Sequence, residues 1–114
     1  MPFIRVETNI EIDSDKAEGF VAGLSKFASA AIGKPEVYVT VMLHQNLSMV
    51  LSGKNEPAVF VTIGSILLNK DNTAILSEKF CAFMYEKLSI SGTRVFIEFR
   101  DLERSMLGWD GRTF

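Results

Sequence analysis

Ala17, Phe20, Val21, Leu24, Phe27, Ala28 and Ala31 recur at i, i+3, i+4, i+7, i+10, i+11 and i+14, one continuous apolar stripe that an α-helix gathers onto a single side. Such a stripe has to cover something, and the flanking segments say what. Upstream, FIRVET at 3–8 alternates Ile4, Val6 and Thr8 with Phe3, Arg5 and Glu7, a strand pattern. Downstream, VYVTVML at 37–43 is a strongly β-forming run. Between them Ser14 or Asp15 reads as the helix cap, with Asp15 and Glu18 spaced as a capping box. IGKP closes the helix, Gly33 supplying a left-handed turn and Pro35 forbidding continuation. The first half therefore reads as a β-α-β unit.

A second unit repeats this order. AVFVTIGSI at 58–66 reads as a buried strand and LNKDNT as turn and cap. Leu76, Phe80, Phe83, Met84 and Leu88 form another helical stripe, SISG ends it, and RVFIEFR at 94–100 is the returning strand. Between the halves, HQNLSMVLSGKNEP carries a short apolar island at Met49–Leu51 and turn residues around Gly53 and Asn55. The expectation is one α+β domain over 1–114, with halves of about 1–50 and 51–114 and both helices on one face of a four-stranded sheet. Tyr38, Phe60, Phe96 and Phe99 cannot all point at those helices. The leftover apolar surface predicts an oligomer in which sheets pack on sheets.

With 114 residues the chain can bury roughly two thirds of its extended surface without disulfides or structural metal. An apolar content of 47% excludes a disordered chain, and a net charge of -2 offers no basic field for nucleic acid. Cys81 is the only cysteine, so no disulfide, CxxC pair or cysteine-rich metal site can form. No run of about 18 apolar residues is present to span a membrane, and no secretory signal opens the chain. A cytoplasmic protein is expected, any export proceeding without a signal peptide. His44 reads as a solvated residue at a strand end, and Asp13, Asp15 and Glu18 as acids favoured at a helix start. Cys81 reads as a small packed hydrophobe and RDLERSM at 100–106 as a solvated turn.

Pro2 directly follows Met1. If Met1 is removed, the Pro2 nitrogen becomes a secondary amine, a titratable base at the start of a strand. Pro2, GKP at 33–35, SI at 65–66 and the closing GWDGRTF lie in an order that resembles the macrophage migration inhibitory factor and D-dopachrome tautomerase family, over the whole chain. That resemblance implies two β-α-β units related by a pseudo-twofold in a mixed sheet, and a homotrimer with active sites at subunit boundaries. It implies a keto-enol tautomerase of the phenylpyruvate or L-dopachrome type, without cofactor or metal, with Pro2 as general base. Lys34 matches a pocket lysine that binds the substrate carboxylate or the enolate oxygen; its structural alternative is a cation at a helix C-terminus. Tyr38 matches a pocket tyrosine, or else packs a strand. Ser65 and Ile66 match a segment offering a backbone amide to substrate. Phe3, Ile66, Met106, Trp109 and Phe114 would form apolar walls, and GWDGRTF a short ribbon against a neighbouring subunit. Apolar walls and a nearby cation both lower the pKa of an amine towards neutrality.

The family's usual tyrosine from the neighbouring subunit is here Phe96, which keeps an aromatic wall and loses a hydroxyl. The usual asparagine is Glu98, whose carboxylate would repel an anionic keto acid unless Arg100 of the same chain or Lys34 across an interface neutralises it. Weaker or altered activity is expected. SILLN replaces the more common SIG, and Ala58 and Val61 stand where some relatives have a CxxC. The alternative function is a cytokine-like protein of the same fold that engages a protein receptor, with residual catalysis. Dehalogenation of small unsaturated acids calls for pocket arginines, for which Arg5 and Arg100 are the candidates.

Overall fold

The computed structural model describes residues 1–114. Strand β1 (Phe3–Thr8) leads to helix α1 (Ser14–Ile32) and strand β2 (Thr40–His44); β3 (Val59–Ile66) leads to α2 (Thr73–Leu88) and β4 (Val95–Leu102). The sheet order is β2-β1-β3-β4. β1 runs parallel to β2 and β3 parallel to β4, while the central β1–β3 pair is antiparallel. The two β-α-β units are thus joined at their first strands in opposite directions, as a pseudo-twofold requires. A short hairpin, β5 (Gly108–Trp109) and β6 (Arg112–Thr113), closes the chain as the expected ribbon.

Both helical stripes cover the same sheet face. Ile4 and Val6 of β1 and Val59, Val61 and Ile63 of β3 share one core with Phe20, Leu24 and Ala28 of α1 and Leu76, Phe80 and Met84 of α2. The aromatic rings of the two helices interlock, Phe27 meeting Phe80 edge-on at 5.0 Å and Phe83 at 4.7 Å. Cys81 packs beside this core, and burial raises its thiol pKa while a hydrogen bond with Ser77 opposes the rise. No helix is long and apolar enough to cross a membrane.

Three local expectations are corrected. The run at 37–43 does not begin as strand: Glu36–Tyr38 form a 3-10 turn closed by the Tyr38 amide on the Pro35 carbonyl at 3.1 Å, and β2 starts at Thr40. Pro35, with φ fixed at -59°, sets that turn and overrides the β preference of Val37 and Tyr38. Asp13 rather than Ser14 or Asp15 stands at the α1 cap position, and its carbonyl, not a side chain, receives the Lys16 and Ala17 amides at 2.8 Å. SISG ends α2 as expected, through Ser89 in the left-handed conformation at φ 58°, the role Gly33 plays for α1 at φ 78°. β4 runs on to Leu102, so RDLERSM contributes its first three residues to strand before a 3-10 turn at Arg104–Met106.

As expected, Tyr38, Phe60, Phe96 and Phe99 do not all point at the helices. Phe99 packs with the helices and Tyr38 lies outside the sheet. Phe60 and Phe96 remain exposed on the open sheet face, beside a groove lined by Glu7, Met49, Val50 and Leu51.

Candidate active site

Pro2 is wholly buried just ahead of β1, and its carbonyl accepts the Thr40 amide at 3.1 Å. The register fixes what gathers at this end of the sheet. Phe3 pairs with Gly64 on β3 and with Thr40 on β2, and Ile66 pairs with Leu102 on β4. The chain's start, the Ser65–Ile66 end of β3, the turn after β4 and the Lys34–Tyr38 connection into β2 therefore converge.

The terminal amine, which belongs to Met1 while that residue is present, has its pKa lowered first by burial and then by the charges of Lys34 and Arg104. Neither cation makes an ion pair; Arg100, Arg112 and Lys87 hold the three pairs in the molecule. Lys34 is placed by the α1 cap, where its amide reaches the Ser29 carbonyl at 3.1 Å and its carbonyl accepts the Ser29 hydroxyl at 2.5 Å. It lines a groove of about 280 Å³ with Leu67, Leu68, Asn69 and Lys79. Lys34 directly follows the α1 C-cap Gly33, and its charge is one of those that lower the pKa of the amino terminus.

Tyr38 anchors the C-terminal hairpin. Its ring meets Trp109 at 5.8 Å and Phe114 at 5.9 Å, both at 90°, while Trp109 and Phe114 stack at 5.8 Å. These three aromatics form one wall, closed by the Phe114 amide on the Leu107 carbonyl at 3.1 Å. Met106 is 77% exposed and adds little cover within one chain. Ser65 and Ile66 are buried, the Ser65 hydroxyl donating to the Ile66 carbonyl at 3.2 Å. After them Leu67 turns left-handed at φ 58°, and the Leu68 amide donates to Asp101 Oδ1 at 3.2 Å. Phe3 lies over Gly64 and carries the Arg5 guanidinium 5.6 Å from its ring centroid.

Phe96 and Glu98 are not brought to this site by their own chain. Phe96 pairs with Phe60, which pairs with Glu7, so Phe96 is two strands across and roughly 16 Å along the strand direction from Pro2. Glu98 is level with Arg5 and accepts from Arg100 at 3.0 Å, the same-chain partner of the two considered. One further residue enters that the sequence reading placed in a solvated turn. Arg104, two residues beyond the end of β4, is the arginine whose charge reaches the amino terminus. The signal that finds it is register: whatever follows Leu102 lies beside Ile66. No three His, Cys, Asp or Glu side chains converge as metal ligands.

The family model described as macrophage migration inhibitory factor matches residues 1–114. The macrophage migration inhibitory factor of Mus musculus is 32% identical over 115 residues, covering 100% of this chain and 99% of that one. A homolog from Brugia malayi is likewise 32% identical over 117 residues, with the same coverage. The crystal structure of the Prochlorococcus marinus homologue superposes with a TM-score of 0.91 at 32% identity, over 98% of each chain. The Trichinella spiralis structure gives 0.91 at 28% identity, over 98% of this chain and 99% of that one.

Proposed function

The chain belongs to the macrophage migration inhibitory factor family, which carries a tautomerase-superfamily, isomerase-type function in general terms, and from that premise we propose a specific activity. The protein is a keto-enol tautomerase of phenylpyruvate- or dopachrome-like carbonyl compounds, and Pro2, freed by removal of Met1, is its general base. The observation that carries this reading is the surroundings of the amino terminus: a buried Pro2, preceded by a Met1 amine whose pKa is lowered by burial and then by Lys34 and Arg104.

Tautomerisation moves one proton between carbon and oxygen. The Pro2 amine takes the proton from the carbon next to the carbonyl, the C–H pair becomes the C=C bond, and the carbonyl π pair moves to oxygen. Returning a proton to that oxygen completes the enol, and the same steps reversed ketonise it. A base for this exchange needs a pKa near the working pH, which burial and neighbouring cations bring about for an amine. Lys34 stabilises the oxygen where negative charge develops. The pyrrolidine ring fixes the direction of the lone pair. Tyr38, Trp109 and Phe114 supply one apolar wall, and Phe3 and Ile66 a second.

A homotrimer is part of this reading. The exposed Phe60 and Phe96, with the adjoining apolar groove, support burial of the open sheet face by other copies. Phe96 and Glu98 then enter a neighbour's pocket rather than their own.

Substituting Pro2→Gly in protein whose mass shows Met1 to be absent tests the assignment. Phenylpyruvate ketonisation should fall by about 10²–10⁴-fold, the range of general-base contributions. Turnover that survives the substitution unchanged removes Pro2 from the mechanism.

A further inference from the structure

We propose that Arg104 is the carboxylate-binding residue of this pocket, acting from the turn after β4 while Lys34 acts from the end of α1, so that the site selects 2-oxo acids over uncharged ketones. The proposal rests on the tautomerase reading above and names the substrate group that each cation takes.

The two cations come from different elements and flank Leu67. β1, which carries the amino terminus, lies between β2 and β3, and β4 lies beyond β3. Lys34 enters from the connection into β2, and Arg104 from the turn that follows β4, whose last residue pairs with Ile66. The other two arginines near this face are engaged, Arg5 over the Phe3 ring and Arg100 on Glu98. Arg104 has no partner and lines a groove of about 440 Å³ with Ile66, Leu67 and Leu102.

Two acids share that lining, Asp101 and Glu103. Asp101 accepts the Leu68 amide at 3.2 Å, and neither acid forms an ion pair with Arg104. The Met1 amine has its pKa lowered first by burial and then by the charges of Lys34 and Arg104.

The chemistry divides accordingly. A guanidinium presents parallel donors that match a carboxylate, whereas an ammonium is a compact charge suited to a single oxygen. In a 2-oxo acid, Pro2 takes the C3 proton, the new C2=C3 bond forms, and charge develops on the C2 oxygen beside Lys34. The carboxylate keeps its charge throughout. Arg104 therefore holds ground state and transition state alike, and its loss should appear in KM rather than kcat.

The test compares phenylpyruvate with its methyl ester in wild type, Arg104→Ala and Arg104→Lys, all with Met1 removed. The ratio of kcat/KM for acid over ester should fall about 10–100-fold in Arg104→Ala, through KM, with partial recovery in Arg104→Lys. An unchanged ratio overturns the proposal, as does a loss confined to kcat. Binding of 3-phenylpropanoate, which has no keto group to tautomerise, reads Arg104 independently of catalysis. It should weaken about tenfold or more in Arg104→Ala; equal affinity overturns the proposal. If Pro2 proves dispensable while this weakening persists, the catalytic reading fails and the carboxylate site stands.

Discussion

The ring of Phe3 occupies the space where Gly64 would carry a side chain: a Cβ built there falls 2.6 Å from Phe3 Cζ. Glycine at this point of β3 is thus required by the residue that follows Pro2, and the apolar neighbour of the base is held by a vacancy on the adjacent strand.

Gly64→Ala should destabilise the fold by about 1–3 kcal/mol, the usual cost of overpacking. Part of that loss should be recovered in Gly64→Ala combined with Phe3→Ala, because the clash is with the ring and not with backbone. Urea unfolding of the four proteins in the cycle gives the coupling. Strictly additive losses would show that the ring does not sit there.

Asp101→Ala removes the acceptor of the Leu68 amide and should cost about 1–2 kcal/mol. The same change frees the left-handed Leu67 turn at the pocket mouth. Faster hydrogen exchange at the Leu68 amide, with β1 amides unaffected, would locate the loss there; equal exchange in both proteins would contradict it.

Lys34→Ala bears on the pH dependence. A cation near an amine disfavours its protonated form, so removing Lys34 should raise the pKa of the base and move the acidic limb of the kcat/KM profile to higher pH. At neutral pH less base is then free, and the developing enolate also loses a stabilising charge, for a combined fall of about 10²-fold or more. Stability follows the same sign. An amine whose pKa is lowered on folding binds more protons unfolded, so its contribution favours the native state increasingly as pH rises through the lowered pKa towards the unfolded value. A limb that stays in place in Lys34→Ala would detach that lysine from the base.

Glu98→Asn should raise the rate of phenylpyruvate ketonisation. The Glu98 carboxylate keeps Arg100 at 3.0 Å, yet both side chains are about half exposed, so the acid is only partly neutralised. In the proposed trimer it would face an anionic substrate held by a neighbour. Equal rates for wild type and Glu98→Asn would mean that its charge does not reach the pocket.

The order of elements was legible because it rests on periodicity along the chain. The stripe from Ala17 to Ala31 and the alternation of Ile4, Val6 and Thr8 need no partner to be read, and Gly33 marks a helix end through its own backbone freedom. The family motifs were legible for the same reason: Pro2, GKP and SI are local strings. Boundaries failed where a local rule met a neighbour's, as when Pro35 drew Val37 and Tyr38 into a turn. Other facts belong only to the tertiary structure, because they depend on which strands pair and in which register. Sheet order set the two β-α-β units side by side at β1 and β3, and the β3–β4 register brought the turn that carries Arg104 beside Ile66. Register also set Phe96 far from Pro2. Hydrogen bonds between strands separated by tens of residues decide these distances, and no pattern within any one strand encodes them.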